Sequence, residues 1–399
     1  MTAFAAVRRK RTALMVAANL FVLVAIGGLG YAGQAALRDY KGARLVSVDL
    51  IKLPTTPVGL LATVDEADEL TSVTVFVVRA GTQLGGSIVS VPVASDATGL
   101  GDVRRPLTDV FREGGLESLA QAVESILSIT FDVSAVATPA EAEALLAPVT
   151  PVAARFASDV VGSADGTSLT LFNAGENSLS AAQTVQVLNA REPGRLDRDR
   201  RANIVALWSG LADGIGGGRA VPAADVPPQP PTSLEALLEH LFAGPVEARG
   251  LPADPVPAID NPERKDVENI DRAEAIFILA SVAPGSMTAP SPDLTYRVEA
   301  PPGYESRVKF AVKVLLFLGA NVVSVYLGEE EHPETRLYVA DPKLADKTEN
   351  TNGLFGETVK MTSERATEGV DVVLQLGTEF LNGEGTELPA ITTSTTEPT

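Results

Sequence analysis

Residues 175–210 read GENSLSAAQTVQVLNAREPGRLDRDRRANIVALWSG. The pattern predicts two helices joined at Pro193-Gly194, the first capped by Ser178 or Ser180. Five arginines, Arg191, Arg195, Arg198, Arg200 and Arg201, fall within eleven residues of a chain whose net charge is −19. On a continuous helix Arg195, Arg198 and Arg201 recur at i, i+3 and i+6 and share one face. Ile204, Leu207, Trp208 and Leu211 then follow at core-facing spacing. Two readings stand. The guanidinium face holds phosphate, which arginine binds bidentately, or the run is a solvated helix end in which Glu192, Asp197 and Asp199 pair the arginines.

Upstream, short runs rich in Val and Ile predict strands: LVSVDLI, VGLLATV, SVTVFVVR and SIVSVPV, with Gly85-Gly86 as a hairpin turn. Asp65, Glu66, Asp68 and Glu69 close the second run and form either an oxygen-ligand site for Mg²⁺ or an exposed acidic loop. Gly114-Gly115 precedes an amphipathic helix, LESLAQAVESIL, whose apolar stripe is Leu116, Leu119, Val123, Ile126 and Leu127. The strand ITFDVSAV, the helix PAEAEALLA with Pro139 in its first turn and the strand SLTLFNAG follow. This alternation predicts an α/β fold.

Downstream, residues 214–270 are Gly- and Pro-rich and read as a linker carrying one short helix, LEALLEHLF. Residues 271–385 read as a small α/β domain. It has a strand over 295–300, a helix over 305–318 ended by Gly319, a strand over 321–327, and further strands TRLYVA, ETVKM and VDVVLQLG. Residues 386–399 are low-complexity and are expected to be disordered.

At the other end, residues 1–12 carry Arg8-Arg9-Lys10-Arg11, and 13–35 contain an uncharged stretch long enough, at about 1.5 Å per residue, to span about 30 Å of hydrocarbon. The basic flank stays cytoplasmic by the positive-inside rule. The chain is therefore expected to cross the plasma membrane once, with the bulk outside, residues 36–57 as a juxtamembrane segment and 58–213 as the first domain. A cleaved signal peptide is the competing reading, since Ala32, Gly33, Ala35 and Ala36 follow. The acidic balance argues against nucleic-acid binding. With no cysteine and two histidines, thiolate chemistry and Cys-based zinc sites are excluded, and a Ser-His-Asp triad has little support.

The anchor followed by an α/β domain, the segment GGLESLAQAVESILSITFD and the arginine-bearing helix pair together resemble the LytR-CpsA-Psr family of envelope proteins over roughly residues 58 to 212. The stretch from about 294 to 381 resembles the LytR C-terminal domain. The resemblance implies transfer of a glycopolymer phosphate from a polyprenyl pyrophosphate lipid to peptidoglycan, with arginines, aspartates and Mg²⁺. Carried over residue by residue, Arg191, Arg198 and Arg201 would hold phosphate and Asp65 would hold the metal. Leu119, Val123, Leu188 and Leu207 would line a lipid pocket or, in the plainer alternative, pack as ordinary core.

The match departs from the family at the chemistry. Leu70-Thr71-Ser72 stands where Arg-x-Asp is expected, Pro92-Val93-Ala94 where Pro-Arg-Asp is expected, and Ala202 where a glutamine is expected. A pyrophosphate leaving group needs several cations around its developing charge, and losing one charge-stabilising donor costs about 3 to 4 kcal/mol. The expectation is a catalytically degraded relative that binds an envelope polymer, its polyprenyl-linked precursor or an envelope protein. One alternative is an active phosphotransferase using Mg²⁺, in which Arg79, Arg104 or Arg105 replace the missing arginines. Another is a scaffold in a surface assembly.

Overall fold

Val58–Val64 forms strand β1, Leu70–Val78 β2 and Gly86–Val91 β3, and every residue in the three is buried. The computed structural model describes residues 51–81, 83–99, 101, 103–216, 231–351, 353–362 and 367–383, all inside one unit bounded as Leu50–Thr399. Residues 1–50 and 384–399 lie outside the described residues, and with them the expected basic tail, anchor and low-complexity end. No helix among the described residues is long and apolar enough to cross a membrane.

Helix α1 (Leu107–Leu127) follows β3, with a non-helical Gly115 at φ 63° inside it. The Gly114-Gly115 break is thus a kink within a helix that starts earlier than expected. Next come β4 (Val133–Ala137), α2 (Pro139–Leu146), β5 (Val152–Phe156), β6 (Val160–Ala164), β7 (Thr167–Phe172), β8 (Gly175–Leu179), α3 (Ala181–Asn189) and α4 (Arg198–Gly214). Capping boxes start α2 and α3: Thr138 with Glu141, and Ser180 with Gln183. Ser180, not Ser178, is therefore the cap. After α5 (Leu234–Phe242) come β9 (Val246–Gly250), β10 (Ala253–Pro255), β11 (Glu268–Ile270) and α6 (Arg272–Val282). The chain then runs through β12 (Thr295–Ala300), α7 (Glu305–Phe317), β13 (Asn321–Leu327), β14 (Thr335–Val339), β15 (Thr358–Thr362), β16 (Val372–Gln375) and α8 (Thr378–Leu381).

The first sheet has the order β4-β1-β2-β3-β9. Its centre is antiparallel, with Val58 opposite Val77 and Val73 opposite Val91. The two edge pairs are parallel, β1 with β4 and β3 with β9. Alternation along the central strands feeds two separate cores, which is why these strands read as continuous apolar runs. Val58, Leu60, Val73, Val75 and Val77 pack on one face with Leu119 and Val123 of α1. Leu61, Phe76, Val78 and Ile88 pack on the other with Leu188 of α3, Leu207 and Trp208 of α4 and Leu237 of α5. Phe76 and Trp208 meet edge to face at 5.8 Å and 85°, an arrangement worth about 0.5 to 1.5 kcal/mol beyond area burial.

The second sheet has the order β13-β12-β16-β14-β15. β12 is parallel to both its neighbours, and β14 is antiparallel to β16. Gly319 has φ 86°, ending α7 as its position in the sequence requires. One apolar cluster runs from Val58 and Leu119 through Ile276 and Leu279 of α6 to Val298, Val312 and Leu315. The segment after Ile51 joins in as well, since the Ile51 carbonyl accepts the Glu368 amide at 2.9 Å.

The stretch read as a linker contains structural members of the first sheet. β9 pairs with β3 from Gly86↔Val246 to Ser90↔Gly250, and α5 packs its Leu234, Leu237 and Leu241 into the second core. Pro and Gly density concealed β9, whereas α5 is the short helix LEALLEHLF read from the sequence. The apolar face of LEALLEHLF already required a partner, and the buried sheet supplies it.

Candidate functional site

Helix α3 ends at Asn189, and Ala190 turns the chain into an extended conformation. The loop 190–197 then carries Arg191, Glu192, Arg195 and Asp197, with Gly194 at φ 75°. Helix α4 begins only at Arg198, so Arg195 lies outside it and the expected shared face of Arg195, Arg198 and Arg201 does not form. Successive residues in a first helical turn point in different directions, and the three arginines of that turn go three ways.

Arg200 points inward and acts as a staple. Its guanidinium donates to the carbonyls of Leu188 at 2.8 Å and Ala190 at 3.3 Å, to the Thr71 carbonyl, and to Asp197 at 2.8 Å. It neutralises carbonyls freed at the end of α3, a recognised use of a cation. Arg201 turns to the other side, donating to the Ala253 carbonyl at 3.0 Å and pairing with Glu268, whose side chain is 1% exposed. Arg198 is exposed, with no hydrogen bond or ion pair among the described residues. The structure therefore does not bring Arg198 and Arg201 together around one site: Arg201 is engaged by Glu268 and Arg198 faces solvent.

Arg191 is different. It is half-buried, donates to the Leu70 carbonyl, and has no ion-pair partner among the described residues. Burial pushes its pKa down and the nearby Arg200 charge adds to this, while Asp197, Asp65 and Glu69 act in opposition. A guanidinium left charged and under-partnered in that setting favours an incoming anion.

The group faces a cavity of about 600 Å³, a size typical of small-molecule sites. Its walls come from the end of β3, the turn at Ser158-Asp159, α3, the 190–197 loop, the start of α4 and Asp266. Four arginines line it, Arg112, Arg191, Arg195 and Arg200, against five carboxylates, Asp159, Glu192, Asp197, Asp199 and Asp266. Arg195 pairs with Glu192 at 3.4 Å and Arg200 with Asp197 at 2.8 Å, while Arg112 bridges Asp109 at 2.9 Å and Glu69 at 3.0 Å. Asp159, Asp199 and Asp266 have no ion pair among the described residues. Burial raises the Asp266 pKa, opposed by the Asp197 amide donating at 2.7 Å and reinforced by the Asp197 charge.

The other expected site residues lie elsewhere. Leu119 and Val123 are fully buried on one face of the first sheet, and Leu188 and Leu207 are fully buried on the opposite face. The structure therefore does not bring these four residues together in one pocket; they pack in two cores separated by the sheet. Asp65 caps its own turn, Oδ1 accepting the amides of Ala67 at 2.9 Å and Glu69 at 3.0 Å. No group of three or more acidic or histidine side chains placed to hold a metal is found among the described residues, and the Asp65 carboxylate is engaged by its own turn. None of Arg79, Arg104 and Arg105 lines the cavity; Arg104 pairs with Asp96 at 2.7 Å and Arg105 with Glu113.

No protein-family model matches the sequence, and no curated protein matches it. Similar solved structures exist. A LytR-Csp2A-Psr enzyme from Actinomyces oris is 14% identical, covering 57% of this chain and 93% of that one, with a TM-score of 0.38. B. subtilis TagV is 13% identical, covering 56% and 94%, with a TM-score of 0.37. TagT bound to LIIa-WTA is 14% identical, covering 56% and 88%, with a TM-score of 0.38. The structural neighbours are LytR-Csp2A-Psr proteins. The residues that the LytR-CpsA-Psr resemblance missed here are Arg112, Asp159, Arg200, Asn203 and Asp266. Only Arg200 stood in a signalled run; the rest come together from segments that carry no local motif.

Proposed function

We propose that this chain is a membrane-anchored, extracytoplasmic envelope protein of LytR-CpsA-Psr type that holds an anionic group of an envelope polymer or its lipid-linked precursor at Arg191 and does not transfer it efficiently. The supporting observation is Arg191 itself, a half-buried guanidinium facing a cavity, with one backbone acceptor and no carboxylate partner among the described residues. Against efficient transfer stands the balance of charge. With five carboxylates to four guanidiniums in the lining, and two of those guanidiniums already paired to lining acids, the cavity lacks the surplus of cations that a departing pyrophosphate needs. The polymer class and the placement outside the membrane rest on the motif resemblance and on residues 13–35.

The test uses the full chain in detergent with polyprenyl pyrophosphate and, separately, a polyprenyl-linked sugar phosphate. The expected result is saturable binding that falls at least tenfold in Arg191→Gln, without release of phosphate or polymer transfer, with or without Mg²⁺. Turnover that Arg191→Gln abolishes would sink the silent reading in favour of an active phosphotransferase. Equal binding by the wild type and Arg191→Gln would sink the site.

A further inference from the structure

The cavity has more to satisfy than an anion. Asn203 lines it and is 4% exposed. Its Nδ2 donates to the Ser158 carbonyl at 3.1 Å, the Ser158 hydroxyl at 3.3 Å and the Asp159 carbonyl at 3.4 Å, which fixes the amide plane. Its Oδ1 accepts no hydrogen bond among the described residues. A buried acceptor without a donor is unfavourable, so this oxygen is best explained by a donor that arrives with a ligand. The neighbouring carboxylates point the same way. Asp159 accepts only the Ala174 amide at 2.8 Å, Asp266 only the Asp197 amide at 2.7 Å, and neither meets a cation within ion-pair distance among the described residues.

The negative and positive demands are also kept apart. Arg191 and Asp266 both line the cavity, and no ion pair joins them among the described residues. A ligand carrying only negative charge would meet Arg191 favourably and the Asp159, Asp199 and Asp266 carboxylates unfavourably. A ligand with an ammonium group a few bonds from its anion would satisfy both ends, and the ammonium would also supply the donor that Asn203 Oδ1 lacks.

We infer that the cavity selects a zwitterionic ligand of amino-sugar size, its phosphate or carboxylate on Arg191 and its ammonium against Asp266, Asp159 and the Asn203 carbonyl oxygen. This rests on the anion site at Arg191 and adds the second charge. It sets the chain apart from a site that takes a bare sugar phosphate, because the free amine becomes the specificity element.

Titration calorimetry on the full chain separates the possibilities with four probes: glucosamine 1-phosphate, glucose 1-phosphate, N-acetylglucosamine 1-phosphate and muramic acid. The expected order places glucosamine 1-phosphate at least tenfold tighter than glucose 1-phosphate and the N-acetylated sugar. Muramic acid reports whether a carboxylate serves as the anion in place of phosphate. Asp266→Asn keeps an oxygen to accept the Asp197 amide and should erase the amine preference while glucose 1-phosphate binds as well or better. Asp159→Asn provides the same test through a second residue should the first variant fold poorly. Equal affinity for the amino and hydroxy sugars overturns the zwitterion while leaving the Arg191 anion site standing. Failure of every probe, phosphates included, overturns both.

Discussion

Arg201, a candidate phosphate holder by spacing, should prove to be a folding residue, and Arg201→Met tests this. Its partner Glu268 has a side chain 1% exposed, and Glu268 Oε1 accepts no hydrogen bond among the described residues. Removing the guanidinium strands a buried carboxylate, which costs about 3 to 5 kcal/mol when the partner cannot move to water. The lost bond to the Ala253 carbonyl shares the same group and is not added separately. The penalty should appear as a fall of several degrees in the thermal midpoint at neutral pH. Its pH dependence has a definite sign. Burial raises the Glu268 pKa and Arg201 opposes that rise, so losing Arg201 raises it further. An acid with a raised folded pKa contributes stability below its unfolded value, about 4.3, and loses it as pH climbs through the folded value. The Arg201→Met deficit should therefore be smallest near pH 4 and larger at pH 7. The double variant with Glu268→Gln should recover much of the loss at pH 7. Differential scanning calorimetry of the full chain at the two pH values provides the measurement. An Arg201→Met protein with an unchanged midpoint at pH 7, or with the same deficit at both pH values, would refute the reasoning.

Three further outcomes are expected. Gly210→Ala should destabilise by about 1 to 3 kcal/mol, because a Cβ there would sit 2.1 Å from the Ala153 carbonyl oxygen where α4 crosses β5; an unchanged melting curve would show that α4 can slide. Ser180→Ala should lose about 1 kcal/mol of stability with the capping box it dismantles, read by chemical denaturation, whereas Ser178→Ala should lose far less. Tyr296 should ionise late, since burial, reinforced by Asp371, pushes its phenol up to about 12; the tyrosinate absorbance titration of Tyr296→Phe should lose a component near that pH, and an unchanged titration would contradict the burial.

Much of this architecture was legible in the sequence because local chemistry agreed with the global fold. The runs VGLLATV, SVTVFVVR and SIVSVPV became β1 to β3, PAEAEALLA became a capped helix, and Gly319 ended α7. The site was less legible. Helical spacing from Ile204 reaches back through Arg195, yet α4 begins at Arg198, so Arg195 falls in the loop; Arg198 and Arg201 stay three apart on the helix but part company because Glu268 and the Ala253 carbonyl draw Arg201 away. The apolar stripes were correct as stripes, but periodicity cannot say which side of a sheet a helix covers, so Leu119 and Leu188 were joined across a barrier of backbone. Asp266 and Asn203 reach the cavity through long-range packing and carry no neighbouring signal.

The parallel partner of β3 arrives more than 150 residues later in the chain. A recombinant piece cut at residue 213, where composition invites the cut, would leave Gly86–Val91 with a bare row of amides and carbonyls, the kind of edge along which copies stick together. During synthesis, too, this rim stays uncovered until the Val246–Gly250 ribbon has emerged. The proline-dense passage between them thus sets how long the nascent protein remains vulnerable.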